Sequence, residues 1–247
     1  MSGEEKIEVI GIGDFGANVI NKTKEIILEH NVYYEIVNEE NKKQVEMSLI
    51  PKIEYLNTII IVVDFKQELD RKIALEISKI INKNVFTVII GSTSDEEKEA
   101  KDFEMPIIGI LNQTNIDETI MYSYLSLKAF LELLCESIVC MDLSDLKMLF
   151  YCSSLWNIGY GKSVGKNKIK ESVLQALNCS MIQYNLEEIK DCIILISGGE
   201  NLNLHEVNNG TEIIQNSLNS ETNIIFTYCI NKKVKVDEMS VTVFLGK

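Results

Sequence analysis

The sequence predicts an α/β protein in which a doubly wound parallel sheet is followed by a long helix and a smaller α+β domain. Short apolar segments alternate with segments of helical periodicity in the N-terminal half, and this alternation is typical of parallel strands connected by helices. Apolar residues then recur at helical spacing from Asp117 to Val139, which is long enough to cross a domain. We therefore expect a first domain over residues 1–116, a connecting helix over 117–140 and a second domain over 141–247.

The first domain is expected to contain five strands, each apolar enough for a buried position in a parallel sheet. They are predicted at the apolar segment that ends before Gly11 and at Val32–Val37, Thr58–Val63, Val85–Ile90 and Pro106–Leu111. Helical periodicity and turn residues predict helices between these strands. The helices are expected from the glycine turn to about Asn31, at Pro51–Asn57, at Leu69–Ile80 and, exposed and acidic, at Ser94–Lys101.

The second domain mixes helices and strands in a less regular order. Helices are predicted at Met141–Tyr151, Lys168–Asn178 and Leu204–Leu218, a strand with a loop at Trp156–Lys166, and strands at Cys192–Ser197, Asn223–Ile230 and Lys235–Leu245. Only the polar segment Asn231-Lys232-Lys233 separates the last two strands, and such a short connection indicates an antiparallel pair. Such a pair beside helices is typical of an α+β domain.

Composition excludes several classes of protein. The formal net charge is −13 and Arg71 is the only arginine, so the clustered cations that bind nucleic acid are missing. The acidic N-terminus lacks the basic and apolar segments of a secretory signal, and no apolar run is long enough to insert across a bilayer. We therefore expect a cytoplasmic protein that binds no nucleic acid and keeps its thiols reduced.

The cysteines and histidines predict no metal site. No two cysteines form a C-x-x-C pair, and His30 lies far from His205, whereas zinc sites need clustered ligands. The cysteines are instead expected to be small core residues. They are Cys135, Cys140, Cys152, Cys179, Cys192 and Cys229.

The glycine turn after the first strand has the character of a phosphate-binding loop. Gly11, Gly13 and Gly16 lie between a strand and a helix, where small residues let backbone N–H groups approach a phosphate at the positive end of the helix. The spacing, with Glu39 after the second strand, also fits a Rossmann dinucleotide binder. That alternative leaves the C-terminal half of the chain unexplained.

Several segments along the chain are similar to the motifs of one family. Val9–Asn18 is similar to V-I-G-V-G-G-G-G-G-N, and Val37-Asn38 is similar to V-N-T-D. In the C-terminal half, Asp142–Leu146 is similar to N-x-D-x-x-D, Ile196–Val207 to T-A-G-x-D-L-x-L-D-E-F and Ser240–Gly246 to V-T-V-V-A-T-G. These are motifs of FtsZ proteins, and the whole chain resembles the tubulin/FtsZ superfamily in the order of its parts.

The resemblance implies a nucleotide site and a catalytic pair. GTP or GDP with Mg²⁺ would be held by the residues that match the nucleotide loops, namely Gly11, Gly13, Gly16, Asn18 and Asn38. The catalytic residues would be Asp142 and Asp145, which in the family reach across a subunit junction to the GTP of the neighbouring subunit. The alternative for Asp142 is a structural one, in which its side chain caps the helix that begins near Leu143.

The departures from the family weigh against nucleotide binding. The family's G-G-G-T-G-T-G signature is replaced by the segment Asp64–Asp70, so the carboxylates of Asp64, Glu68 and Asp70 would face a polyphosphate. At an effective dielectric of about 20, each close pair of like charges costs up to roughly 4 kcal/mol. Lys66 and Arg71 would offset part of that cost.

Two further loops depart from the family. No glycine-rich third loop occurs between Lys42 and Leu56, and Asp14 and Phe15 replace glycines in the first loop. We expect Asp14 to cap the first helix and so to occupy the place of a phosphate.

Two hypotheses follow from the resemblance. The first is a divergent FtsZ-like cytoskeletal or cell-division-related protein, with weak or lost GTP binding and hydrolysis, that associates head to tail with itself or with another FtsZ-family protein. The second is a functional GTP-hydrolysing, filament-forming FtsZ homologue. A head-to-tail contact that does not close into a ring produces a filament in either case.

Overall fold

The computed structural model divides the chain into two compact units. Unit 1 covers residues 1–128 and unit 2 covers residues 129–247, and the boundary lies inside one long helix. The structure describes residues 6–24, 31–93, 98, 101–111, 115–135, 142–182, 184–231 and 234–247. The predicted boundaries at residues 116 and 140 stay predictions.

Unit 1 contains a parallel sheet with the strand order β2-β1-β3-β4-β5. The strands are β1 (Ile7–Ile12), β2 (Val32–Val37), β3 (Thr58–Asp64), β4 (Phe86–Thr93) and β5 (Ile107–Leu111). The helices are α1 (Gly13–Lys24), α2 (Lys42–Lys52), α3 (Glu68–Ile80) and the first part of α4 (Ile116–Cys135). All residues of β1, β3 and β4 are buried, because helices cover both faces of such a sheet. The predicted doubly wound sheet is confirmed.

Helix α2 was not predicted, and the short helix expected at Pro51–Asn57 is wrong in its bounds. The structure instead has a helix over Lys42–Lys52 and a single 3₁₀ turn over Ile53–Tyr55. Only Val45 and Leu49 of α2 are buried, so the sequence shows no apolar stripe. Pro51 lies in the last turn, where it removes only one backbone hydrogen bond of the helix.

Unit 2 contains a mixed sheet with the strand order β6-β9-β7-β8. The strands are β6 (Leu155–Val164), β7 (Asp191–Gly198), β8 (Asn223–Ile230) and β9 (Glu238–Gly246), and the helices are the rest of α4, α5 (Leu143–Cys152), α6 (Lys168–Leu177) and α7 (Leu204–Gln215). The predicted α+β class is confirmed.

The predicted antiparallel pairing of β8 with β9 is wrong. Strand β7 lies between them, parallel to β8 and antiparallel to β9. All eight residues of β7 are buried, and a strand buried on both faces belongs inside a sheet. The connection from β8 to β9 therefore spans two strand spacings, about 10 Å, rather than one.

The core of unit 2 includes a fully buried tryptophan. Trp156 is the second residue of β6, and its indole Nε1 donates to the carbonyl oxygens of Ser153 at 2.8 Å and Phe150 at 3.2 Å. The centroids of the Phe150 and Trp156 rings lie 4.6 Å apart, and Phe130 and Phe244 complete the cluster. This indole thus meets the usual requirement that a buried donor be paired.

The cysteines follow the expectation in part. Cys179, Cys192 and Cys229 are buried, whereas Cys152 is exposed at the end of α5. Burial raises the pKa of the Cys192 thiol well above its ordinary value. The core position expected for Cys152 is therefore wrong, because this residue lies on the outer face of an amphipathic helix.

Several predicted features lie outside the described residues. They include the end of the first helix at residues 25–30, nearly all of the acidic helix at 94–101, the last part of the long helix at 136–140, Cys140 and the side chain of Cys135. Within the part of the chain that the structure describes, no group of three or more His, Cys, Asp or Glu residues is placed so that it could hold a metal ion. None of the described helices has the length and hydropathy needed to span a membrane.

Candidate functional site

Strand β1 passes directly into helix α1 at the glycine turn. A Cβ atom on Gly11 would lie 2.7 Å from the carbonyl carbon of Gly16, and one on Gly16 would lie 2.7 Å from the carbonyl oxygen of Val62. Real Cβ contacts are never this close, so Gly11 and Gly16 are required for the packing of β1, α1 and β3 against one another. The close packing of strand and helix explains these two glycines without any ligand.

Gly13 has a different environment from the other two glycines. Its φ angle is +66°, a conformation that favours glycine. A Cβ atom on Gly13 would lie 2.1 Å from Oδ2 and 2.8 Å from Oδ1 of Asp70. The Asp70 carboxylate, from the first turn of α3, therefore lies directly against the turn at the start of α1.

A cavity of about 520 Å³ opens beside this turn, entirely within unit 1. Its size is in the range of small-molecule sites. It is lined by Gly13, Asp14, Phe15, Asn18, Asp64, Gln67, Leu69, Asp70, Ile116 and Ile120. Of the predicted nucleotide-loop residues, Gly13 and Asn18 line the cavity, whereas Gly11, Gly16 and Asn38 are not among the lining residues.

The charges of the cavity are those of three carboxylates. Asp14, Asp64 and Asp70 line it, and no lysine or arginine is among its lining residues. Burial, together with the charges of Asp64 and Asp14, raises the pKa of Asp70 above its ordinary value. Asp64 is buried and its Oδ1 accepts a hydrogen bond from the backbone N–H of Lys66 at 3.2 Å. The site therefore repels anions, as the sequence predicts for Asp64 and Asp70.

The other charged residues of the 64–71 segment are directed elsewhere. Glu68 is 84% exposed and its Oε1 lies 2.7 Å from the Nζ of Lys72, so its expected position facing a phosphate is wrong. Arg71 pairs with Asp102, and Lys66 is exposed. Neither Lys66 nor Arg71 lines the cavity, and the offset expected from these two cations stays a prediction.

Asp14 lies in the first turn of α1 and not at its N-cap. The helix begins at Gly13, directly after the last residue of β1. The N-cap expected at Asp14 is therefore wrong by a residue or two, because no loop separates the strand from the helix. Asp14 still lines the cavity, and its expected occupation of the place of a phosphate stays a prediction.

Asn38 organises the turn after β2. Its Oδ1 accepts hydrogen bonds from the backbone N–H groups of Glu40 at 3.0 Å and Asn41 at 3.1 Å, and the Oδ1 of Asn41 accepts from the N–H of Asn38 at 2.8 Å. These bonds start helix α2. An Asn side chain that bonds to the backbone two or three residues later is a common turn-forming device, and it accounts for this residue structurally.

Asp142 and Asp145 lie at the start of α5 in unit 2. Oδ1 of Asp142 accepts a hydrogen bond from the backbone N–H of Ser144 at 3.1 Å, and this bond lowers the pKa of the Asp142 carboxyl. The capping interpretation of Asp142 is confirmed. Both carboxylates are exposed, so a catalytic role across a subunit junction stays a prediction.

The sequence did not indicate the apolar part of the cavity. Leu69, Ile116 and Ile120 line it beside the carboxylates, and Ile116 is 50% exposed. The only local signal is the four-residue spacing of Ile116 and Ile120, which places both on one face of α4. That spacing alone does not show what the face contacts.

The fold and the site together define an α/β protein with a nucleotide-type first unit and a mixed second unit. The model of the FtsZ family, C-terminal domain, matches residues 155–246. The cell division protein FtsZ of Mycoplasmopsis pulmonis (strain UAB CTIP) is 30% identical over 103 residues, which are 42% of this chain and 26% of that relative. The match thus spans about a quarter of the relative's length.

Solved structures match over nearly the whole chain. An empty FtsZ dimer from M. jannaschii has a TM-score of 0.83 at 16% identity, with coverage of 100% of this chain and 89% of that chain. CetZ2 from Haloferax volcanii, solved as a GTPγS-bound protofilament, has a TM-score of 0.67 at 10% identity and coverage of 98% and 92%. Residues 155–246 match the FtsZ C-terminal domain and the whole chain has the fold of the FtsZ structures, so the resemblance read from the sequence is confirmed.

Proposed function

We propose that this chain is a cytoplasmic, FtsZ-like cytoskeletal or cell-division-related protein with weak or lost GTP binding and hydrolysis. It associates head to tail with further copies or with another FtsZ-family protein. The observation that carries the proposal is the set of three carboxylates, Asp14, Asp64 and Asp70, in the cavity beside the glycine turn.

Electrostatics weighs against a polyphosphate in this cavity. At an effective dielectric of about 20, two like charges 4 Å apart repel by about 4 kcal/mol. Sites that bind phosphates supply N–H donors, lysine or arginine, and neither of the last two lines this cavity. The remaining donors of the turn are faced by Asp70, so a nucleotide would have to displace a carboxylate that lies against Gly13.

Assembly is supported by the relatives and by one exposed surface of unit 2. One FtsZ relative was solved as a dimer and CetZ2 as a protofilament. At the start of α5, the exposed carboxylates of Asp142 and Asp145 adjoin a face on which Met148 is 65% exposed. Residues three and four apart share a helix face, so Asp145 and Met148 form one surface that a second subunit can cover.

The first experiment measures nucleotide on the purified chain. Denatured protein is expected to release no stoichiometric GTP or GDP, and GTP with Mg²⁺ is expected to leave the melting temperature nearly unchanged. A ligand at one hundred times its dissociation constant stabilises a fold by about 2.7 kcal/mol, so a functional site is visible in this assay. Stoichiometric guanine nucleotide in the purified protein would overturn the proposal.

The second experiment separates the proposal from a functional GTPase filament. That alternative is favoured by Gly13 and Asn18 in the cavity lining and by the exposed Asp142 and Asp145. We expect sedimentation to be independent of GTP. If sedimentation requires GTP, and if Asp145→Ala abolishes turnover while the exposed control Glu212→Ala in α7 does not, the GTPase alternative is correct.

A further inference from the structure

We propose that Asp70 is the residue that determines which ligands the cavity of unit 1 accepts, because its carboxylate occupies the space over Gly13 that a phosphate would need. This inference rests on the proposed weak or lost GTP binding and names the single side chain responsible for it. The other two carboxylates of the cavity have supporting roles.

The geometry singles out Asp70. The Cγ atom and both carboxylate oxygens of Asp70 lie within 2.8 Å of the position of a Cβ atom on Gly13. The carboxylate therefore lies over the turn. Because Gly13 is the first residue of α1, the carboxylate lies at the positive end of that helix, the position at which helices bind anions.

Asp64 and Asp14 are placed differently. Asp64 ends β3, is buried, and holds the backbone N–H of Lys66, so it shapes the turn that follows the strand. Asp14 lines the cavity from the first turn of α1, as the direct chain neighbour of Gly13. Asp70 comes from a different helix, and its carboxylate lies over Gly13 while the residue also lines the cavity.

The charge of Asp70 is not balanced within the described residues. No ion pair to Asp70 is formed by any residue that the structure describes, while burial, together with repulsion from Asp64 and Asp14, raises its pKa. Removing the Asp70 charge should therefore leave the fold intact and relieve the repulsion that a phosphate meets at the turn.

The test uses the full chain and three variants, Asp70→Asn, Asp70→Ala and the matched control Glu68→Gln. Glu68 lies in the same first turn of α3 and carries the same charge, but it is exposed and paired with Lys72. The probes are GTP with Mg²⁺, GDP with Mg²⁺ and inorganic pyrophosphate, measured by equilibrium dialysis and by melting temperature. We expect both Asp70 variants to bind at least one probe about 10-fold to 1000-fold more tightly than the unmodified chain, and Glu68→Gln to bind no more tightly.

The outcomes separate this inference from the proposed function. If the unmodified chain already binds GTP tightly, the proposed function fails and this inference fails with it. If the unmodified chain binds none of the probes and neither folded Asp70 variant gains affinity, only the role of Asp70 is overturned. An equal gain in Glu68→Gln also overturns that role, because it indicates a general effect of net charge. The melting curve of each variant establishes that it is folded, and the two Asp70 replacements differ in size, so a folding defect in one leaves the other as the test.

Discussion

The two units of this chain use glycine in the same way but differ in what surrounds it. In unit 2, Cβ atoms on Gly159 and Gly161 would lie 2.2 Å and 2.0 Å from backbone oxygens of α6, so these glycines let β6 and α6 approach closely. In unit 1, Gly11 and Gly16 do the same for β1, α1 and β3. Of these five glycines, Gly13 is the one that meets a carboxylate. The other four are explained by close packing between a strand and a helix, and the residue that faces Gly13 is what distinguishes the turn of unit 1.

The match to the family model and the candidate site lie in different units. The family model matches residues 155–246 in unit 2, whereas the cavity is formed by residues of unit 1. The match therefore supports the fold and the resemblance to FtsZ proteins. Whether the cavity binds a nucleotide depends on the side chains of unit 1.

The largest expected effect is in the core of unit 2. Trp156→Ala should lower the free energy of unfolding by about 3–5 kcal/mol, because it leaves a large cavity beside Phe150. Urea denaturation followed by circular dichroism measures this loss, and Trp156→Phe should retain much of the stability. A loss below about 1 kcal/mol for the alanine variant would contradict the close packing described for this cluster.

The second prediction compares a glycine of each unit directly. Gly165, at φ +101°, would place a Cβ atom in open space, whereas Gly13, at φ +66°, would place it against Asp70. Gly165→Ala should cost about 1–2 kcal/mol from the backbone alone. Gly13→Ala should cost more, by about 0.5–3 kcal/mol of interaction with Asp70.

A double-mutant cycle isolates that interaction. In the Asp70→Ala background, the cost of Gly13→Ala should fall to about that of Gly165→Ala, as measured by denaturation midpoints. If the cost of Gly13→Ala is the same in both backgrounds, Asp70 does not occupy the space over Gly13 and the contrast between the units is lost.

A smaller effect is expected at the helix caps of unit 2. Asn203 and Glu206 form a capping box at the start of α7, so Asn203→Ala should cost about 1 kcal/mol of stability. Asn167 occupies the N-cap of α6 without a side-chain hydrogen bond to the helix, so Asn167→Ala is the matched control and should cost less. Equal losses at the two caps, measured by thermal denaturation, would argue against the capping box.

The smallest effect is a pH dependence of opposite sign in the two units. The pKa of Asp70 is raised, so the folded chain keeps a proton that the unfolded chain releases. Its contribution to stability is complete below the ordinary pKa, 3.8, and is lost as the pH rises through the raised folded value. Asp70→Asn should therefore be more stable than the unmodified chain at neutral pH.

Asp142 in unit 2 should contribute to stability with the opposite pH dependence. Its pKa is lowered by the hydrogen bond from Ser144, so its contribution is present above the ordinary pKa and is lost as the pH falls through the lowered folded value. Asp142→Asn should lower the stability slightly at neutral pH, and it should reduce the loss of stability in acid. Melting temperatures of both variants across the acidic pH range measure these effects. If the two substitutions change stability in the same direction at neutral pH, the expected difference between the two units is refuted.

Much of the fold was predictable because its signals are local. The strands of unit 1 are apolar runs bounded by turn residues, and all five lie within a few residues of their predicted bounds. Helix α2 was missed because only Val45 and Leu49 are buried. The pairing of β8 and β9 was wrong because the neighbours of a strand are set by contacts between distant segments, and a short joint does not determine them.

For the site, the charges were predictable from the sequence, whereas the contacts between helices were not. The position of Asp64 and Asp70 after β3 predicted their charge at the cavity, since strand ends in such a sheet face the ligand crevice. That Asp70 lies against Gly13, while Glu68 turns to Lys72, depends on the rotation of α3 relative to α1. Nothing in the spacing of either helix specifies that rotation.

The buried Trp156 has a practical consequence for work on the other unit. It is the only tryptophan in the chain, and it lies in the core of unit 2 with its indole N–H paired to backbone oxygens. Its emission therefore monitors unit 2 selectively, although the candidate ligand site belongs to unit 1. A change in that emission when a ligand is added to an Asp70 variant would show that binding in unit 1 alters the core of unit 2.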